Sequence, residues 1–364
     1  MPVTDPKTEF KAFIESTQQN LEPYLKASLH TRFQTLRRIN GKLCDEVRNA
    51  LTSFCTGGKA VRATLVELGH VIADGKEGDD RLYPIQLSVE LTHAALLIHD
   101  DIVDHSEMRR NKATLHCLFA NGHRATKLRG ESGDYGRSVA MLVGDVALCL
   151  AHYFALDSNF ETRNKIFALS SFIDNLVVTG LGQVMDLQLS ASPVRVTPEE
   201  IIGMTEYKTA YYTVVAPMQL GALLAECSDL LLNNIIGFGS PLGIAYQLKD
   251  DILGLYGDEQ LVGKPNSSDL FEGKQTLLMK YGLDRARGTD RSFLKSSLRS
   301  KKVSTATVMQ VRQILTDCGA REEVETTARK LKEDAIQAIP SLTRNKRYQA
   351  VLRGLCEFMV DRDR

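Results

Sequence analysis

Three aspartates at the end of an apolar run place the strongest condition on this chain. From Pro84 the sequence continues without a turn residue to Leu97-Ile98-His99-Asp100-Asp101-Ile102-Val103-Asp104, which predicts the C-terminal part of a long helix. At about 3.6 residues per turn, Asp100 and Asp104 lie one turn apart on one face, with Asp101 flanking them. Carboxylates there sit at the negative end of the helix macrodipole, where anions are disfavoured. A fold that accepts them calls for a cation. Clustered hard oxygen ligands suit Mg²⁺, which binds through a few carboxylates plus substrate phosphates. Taken alone, the same pattern also describes a solvated helix end.

A second cluster changes that balance. Gln247-Leu248-Lys249-Asp250-Asp251-Ile252-Leu253-Gly254 again puts paired aspartates at the end of an apolar helix. Basic residues crowd both motifs: Arg109 and Arg110 follow the first, Lys264 and Lys274 the second. Carboxylates for a metal beside Lys and Arg for phosphate make an arrangement for handling a diphosphate.

Bulk properties narrow the classes. Lys+Arg 45 balances Asp+Glu 45, so no global basic field points to nucleic acid or an anionic membrane. The seven cysteines are scattered and lack CxxC spacing, which favours reduced thiols over disulfides or zinc. MPVTDPKTEF shows neither a basic n-region nor an apolar h-region, so a cytoplasmic location is expected. The most apolar stretches, near 139–156 and 210–246, are interrupted by Asp145 and by Glu226 and Asp229, so no stable membrane span is expected.

Along the chain, residues 9–54 read as amphipathic helices that break at Thr56-Gly57-Gly58. Lys59 and Arg62 open the next helix, where glycines let backbone amides approach an anion. Residues 74–80 read as a solvated loop, and Pro84 stands at a favoured first-turn position. The polar, glycine-rich stretch 121–137 reads as a long surface loop. Helical periodicity returns at 138–157 and 164–189, apolar around so much of the circumference that a partner face is expected. Thr197-Pro198-Glu199-Glu200 is a strong helix start, and residues 257–273 read as a loop before a more polar helical end. Alternating β-branched runs are missing, so the chain is expected to be all-α. No linker of domain-boundary quality interrupts it, and a single large helical domain over 1–364, with its core from about residue 10, is expected.

The motifs, taken in order, resemble the trans-isoprenyl diphosphate synthases of the polyprenyl synthetase family. The resemblance rests on GGKAVR (57–62), ELTHAALLIHDDIVDHSEMRRNKATLH (90–116), MLVGD (141–145), GQVMDL (182–187), YKT (207–209), YQLKDDILGLYGD (246–258) and GKPNSSDLFEGKQTLL (263–278). It implies an all-helical fold around a central active-site cavity, a homodimer, and three Mg²⁺ ions. Asp100, Asp104 and Asp250 match the family's metal ligands, with Asp101 and Asp251 as their neighbours. Arg109, Lys208, Lys264 and Lys274 match its allylic diphosphate contacts. Lys59, Arg62, His93 and Arg110 match those for isopentenyl diphosphate, and Thr209 and Gln247 fall near the developing cation. The activity implied is head-to-tail condensation of isopentenyl diphosphate with a dimethylallyl, geranyl or farnesyl diphosphate.

Some positions depart from the pattern. The usual GGKRxRP is GGKAVRA here, and the second motif is DDILG, with Gly254 last and Asp258 as a distant substitute. A class I terpene cyclase would need an (N/D)DxxSxxxE motif, and Asn266-Ser267-Ser268-Asp269 lacks that spacing. A non-catalytic partner subunit would have lost aspartates or basic residues that this chain keeps. Product length is expected to depend on side chains one and two turns before Asp100. In the family that the motifs resemble, aromatics at the fourth and fifth positions before that Asp mark a farnesyl-length product. Here those positions are Leu96 and Ala95, with Thr92 one turn further, and none is aromatic, so the resemblance implies a product beyond farnesyl length. Geranylgeranyl diphosphate is expected, with a longer chain as the alternative.

Overall fold

A computed structural model describes residues 5–56, 58–192, 196–259, 266–298, 300 and 303–362. The backbone packs as two compact units. One comprises Lys11–Leu169 with Leu220–Cys227; the other comprises Met1–Phe10, Ser170–Gln219 and Ser228–Arg364. The fold is all-α. Strand among the described residues is confined to a two-stranded hairpin, β1 (Met108–Arg109) and β2 (Lys112–Ala113).

In the first unit, α1 (Pro6–Leu36) enters from the other unit and runs on to α2 (Gly41–Cys55), α3 (Val61–Ile72) and α4 (Tyr83–Val103). Pro84 occupies the first turn of α4, where a missing N–H costs nothing. After the hairpin come α5 (Leu115–Ala125) and α6 (Ser132–Leu156). Leu21, Leu25 and Leu29 of α1, Val47 and Leu51 of α2, Leu87, Leu91, Ala95 and Ile98 of α4, and Ala140, Val143 and Ala147 of α6 form one core. Burial nearly all round α4 fixes its axis, and with it the position of the aspartates at its end.

The long loop expected at 121–137 is mostly helix. Only residues 126–131 separate α5 from α6. Of the glycines in that stretch, Gly130 stays in the short connection with a φ of 96°, whereas Gly136 serves close helix packing. A Cβ on Gly136 would lie 2.2 Å from the His116 carbonyl oxygen, so α6 crosses α5 with no room for a side chain. Glu131 accepts from the Asp134 N–H at 2.8 Å and caps α6.

The chain continues through α7 (Thr162–Ala191), α8 (Pro198–Thr205), a wide helical segment at Glu206–Val215, α9 (Ala216–Leu224) and α10 (Asp229–Tyr256). The expected start of α8 at Thr197 is a capping box: the Thr197 hydroxyl accepts from the Glu200 N–H, and Glu200 accepts from the Thr197 N–H. Then come α11 (Ser268–Glu272), α12 (Leu277–Arg285), α13 (Gly288–Ser297), α14 (Thr305–Asp317), α15 (Ala320–Leu342) and α16 (Lys346–Val360). In this second unit α10 packs on α15 and α16, and the first turn of α1 seals against α16 through Phe10 and Phe358.

By length and composition alone α6 and α7 are long and apolar enough to cross a membrane, a test that core helices also pass. The apolar surplus lies on their outer faces. Met141, Leu142 and Val146 of α6 and Phe167, Val177 and Leu181 of α7 are all exposed, while the opposite face of α6 is packed on α4 and α5. Gly136→Ala should therefore cost about 1–3 kcal/mol by overpacking the α5–α6 crossing. Urea denaturation checks this, and an unchanged midpoint would contradict the close contact.

Candidate active site

In the first unit α4 ends on its carboxylates. Asp104 is the C-cap residue, its N–H donating to the Asp100 carbonyl at 2.8 Å, and both side chains are half-buried. Asp101 turns inward and is 1% exposed. Its two oxygens accept from Arg109 Nε at 2.9 and 3.0 Å, and Arg109 Nη2 lies 2.7 Å from Oδ1. The same Nη2 stands 3.7 Å from Asp100. Burial pushes the Asp101 carboxyl up, against the pull of the Arg109 guanidinium. Asp101 therefore positions Arg109 at the face that Asp100 and Asp104 share.

The hairpin delivers that arginine. Arg110 and Asn111 take φ of 50° and 59°, which is the left-handed pair a tight two-residue hairpin requires. Arg110 is thereby turned back toward the loop before α3, where a Cβ on Gly58 would sit 3.4 Å from its terminal nitrogens. In the same unit Arg62 Nη1 lies 3.2 Å from His93 Nε2, and the buried Glu90 accepts from the Ala63 N–H at 3.2 Å. Burial raises the Glu90 carboxyl, with Arg62 opposing. Burial and the charges of Arg62, Arg110 and Arg109 hold His93 well below the usual imidazole range, so it is neutral at physiological pH. Lys59 stands exposed beside Ala60, whose φ of 47° turns the chain into α3.

In the second unit Lys208 and Thr209 lie in the wide segment Glu206–Val215, where backbone bonds span five residues, as from the Ala216 N–H to the Tyr211 carbonyl. Such π-type turns recur at functional sites. Two glycines clamp it. A Cβ on Gly182 of α7 would lie 2.4 Å from the Lys208 nitrogen, and one on Gly243 of α10 would lie 2.4 Å from the Ala210 Cα. Lys208 Nζ is 2.5 Å from Asp186 Oδ2. The Thr209 hydroxyl donates to Gln247 Oε1 at 3.2 Å, and Gln247 Nε2 donates to Asp251 Oδ1 at 2.8 Å.

Asp251 is pushed up to about 7, first by burial and then by the charge of Asp269, with Asp250 adding and Lys274 opposing. Asp269 also explains the glycine in DDILG. Its Oδ2 lies 3.1 Å from where a Gly254 Cβ would be, so a carboxylate from α11 stands there, and not that of Asp258. Lys274 Nζ is 2.7 Å from Glu272. Lys264 lies outside the described residues.

Of the product-length positions, Thr92 and Ala95 are fully buried. Thr92 donates to the Ser88 carbonyl at 2.9 Å, and Ala95 belongs to the α2–α4–α6 core. Only Leu96 keeps accessible surface.

Sequence reading passed over Asp186, Glu90, Asp269 and Arg362, whose guanidinium donates to Asp250. Asp186 and Asp269 fall inside recognised stretches; Arg362 carries no local signal at all. Among the described residues no three carboxylate, imidazole or thiol groups are gathered as a ready metal site. The donor chemistry nevertheless fits magnesium. Carboxylate pairs supply hard oxygens that a diphosphate would complete.

Paired aspartates at helix C-termini, each beside placed arginine or lysine side chains, define a helical enzyme for diphosphate chemistry. Comparison with known proteins gives the family. The polyprenyl synthetase profile matches residues 44–315. The geranylgeranyl diphosphate synthase of Saccharolobus solfataricus is 30% identical over 92% of this chain and 95% of its own length. The (2E,6E)-farnesyl diphosphate synthase of Mycobacterium bovis is 30% identical over 87% of this chain and 83% of its own. The crystal structure of geranylgeranyl pyrophosphate synthase from Corynebacterium glutamicum, complexed with isoprenyl diphosphate and magnesium, superposes with a TM-score of 0.85. That likeness comes at 28% identity and covers 95% of this chain and 99% of that one. The chain belongs to the polyprenyl synthetase family. It is a prenyltransferase, an enzyme of prenyl chain elongation.

Neutral His93 has a stability consequence. Its folded pKa is lowered, so below about 6.5 the unfolded chain takes up a proton that the folded chain refuses, and stability falls as pH drops. Between about pH 6.5 and 5 the Tm of the wild type should fall more steeply than that of His93→Gln. Parallel slopes in calorimetry would contradict a neutral buried imidazole.

Proposed function

We propose that this enzyme condenses isopentenyl diphosphate with an allylic diphosphate head to tail and releases geranylgeranyl diphosphate. The observation that carries the reading is the pairing of Asp100 and Asp104 on one face of α4 with Arg109 held beside them by buried Asp101. Asp100, Asp104 and Asp250 would hold magnesium, with three ions expected. When bound, magnesium supplies Lewis-acid charge to the diphosphate oxygens.

The chain's own residues do the rest. Arg109, Lys208, Lys264 and Lys274 bind the allylic diphosphate and offset the negative charge that grows as its C–O bond ionises. Lys59, Arg62, Arg110 and neutral His93 bind the diphosphate of isopentenyl diphosphate. That places its double bond to attack the allylic cation. The Thr209 hydroxyl and Gln247 carbonyl oxygens lend partial negative charge near that cation. The departing diphosphate takes the proton, so no protein base is assigned.

The family match draws on both compact units, which supports one catalytic domain over 1–364. The exposed apolar faces of α6 and α7 support a homodimer. Seven free thiols support a cytoplasmic location. For the product, two features favour geranylgeranyl length over farnesyl: the name carried by the Saccharolobus relative, and the absence of an aromatic at Leu96, Ala95 or Thr92.

Asp100→Ala should lower turnover by about three orders of magnitude or more in a protein that still folds. Diphosphate release with and without Mg²⁺ measures it, and near-normal turnover would remove the first motif from the site. Leu96→Phe should shorten the product to farnesyl diphosphate, since Leu96 is the floor position with open surface; product chromatography reads the length. Light scattering at micromolar concentration should report a dimer.

A further inference from the structure

The short segment after α16 brings an arginine to the second motif. Beyond α16, the Asp361 N–H donates to the Glu357 carbonyl at 2.8 Å, and Lys332 of α15 holds the Asp361 carboxylate at 2.8 and 3.0 Å. The backbone is thereby anchored, and the next side chain turns onto α10. Arg362 Nη2 donates to Asp250 Oδ1, and its guanidinium carbon lies 4.2 Å from the centroid of the Tyr246 ring, one helical turn before Asp250. The Arg362 side chain is 17% exposed and that of Asp250 is 38% exposed.

The arginine is only partly used. Its Nε is buried and has no acceptor among the described residues. A buried unpaired N–H is costly, and this guanidinium is not held by a full set of matched donors. The guanidinium is fixed instead by the ring face and one carboxylate oxygen, and that oxygen belongs to the residue proposed to bind a divalent cation. A guanidinium and a divalent ion compete for the same negative atom.

We propose that Arg362 is the resident counter-cation of Asp250, and that a divalent cation arriving with diphosphate displaces it and releases Arg362 from α10. This rests on the metal role of Asp250. While the contact holds, the Asp250 charge is compensated. The contact lowers the apparent affinity for the metal–diphosphate complex, because only the fraction of molecules with Asp250 open can bind it.

The test is titration calorimetry of the manganese(II)–inorganic diphosphate complex into full-length wild type, R362Q and D250N. R362Q should bind about three- to tenfold more tightly than wild type. A chain ending at Asp361 should gain similarly, which keeps the test open if R362Q folds poorly. Hydrogen exchange at the amides of residues 357–362 should rise in wild type when the complex is added and be high from the start in R362Q. A purely structural arginine would lower Tm and leave the affinity unchanged; an arginine that helps hold diphosphate would make R362Q bind more weakly. Either result overturns the proposal. If D250N binds as wild type does, the metal role of Asp250 fails. If D250N binds more weakly while R362Q is unchanged, only the displacement is wrong.

Discussion

Carboxylates crowded toward the C-terminal parts of α4 and α10 need compensating positive charge, those of α4 against the helix dipole as well, and much of the surrounding structure supplies it. Arg109 is brought back by a hairpin to grip Asp101 with two nitrogens, beside the half-buried Asp100 and Asp104. At α10 the compensation is spread over Arg362, Lys274 and a hydrogen bond from Gln247. Buried ion pairs of this sort contribute little net stability, because desolvating both charges offsets most of their attraction. Their value here is geometric: each fixes one carboxylate so that its neighbour can do something else.

Holding the remaining groups in place depends on close backbone approaches. Gly144 lets α6 come so near α4 that a Cβ would lie 2.3 Å from His99 Nε2, and that ring reaches the Met141 carbonyl at 3.1 Å. Gly182 and Gly243 do the same for the segment bearing Lys208 and Thr209. Functional side chains thus sit on elements whose separation is set by missing side chains. A frame of this kind tolerates little drift.

Much of this was legible in sequence. Apolar periodicity, Pro84 and the Thr197-Pro198 start mark helix beginnings that the structure keeps, and the aspartate spacing puts Asp100 and Asp104 on one face of the helix. The stretch 121–137 was misread because glycine is ambiguous: it serves a loop by freeing φ, and a helix crossing by giving room. Asp269 and Arg362 were hidden for another reason. Each acts across a distance in the chain, Asp269 beside Gly254 and Arg362 at Asp250, and no local pattern encodes such a meeting.

The segment Glu206–Val215 winds more residues into each turn than an α-helix does. It is a stored surplus of chain. Each residue of an ordinary helix advances the azimuth by about 100°, so losing one residue there would let the segment relax to α geometry while swinging Lys208 and Thr209 out of phase with Asp186 and Gln247. Length, and not only composition, is therefore under constraint in this stretch: a one-residue deletion that a surface loop would absorb would here rearrange the site.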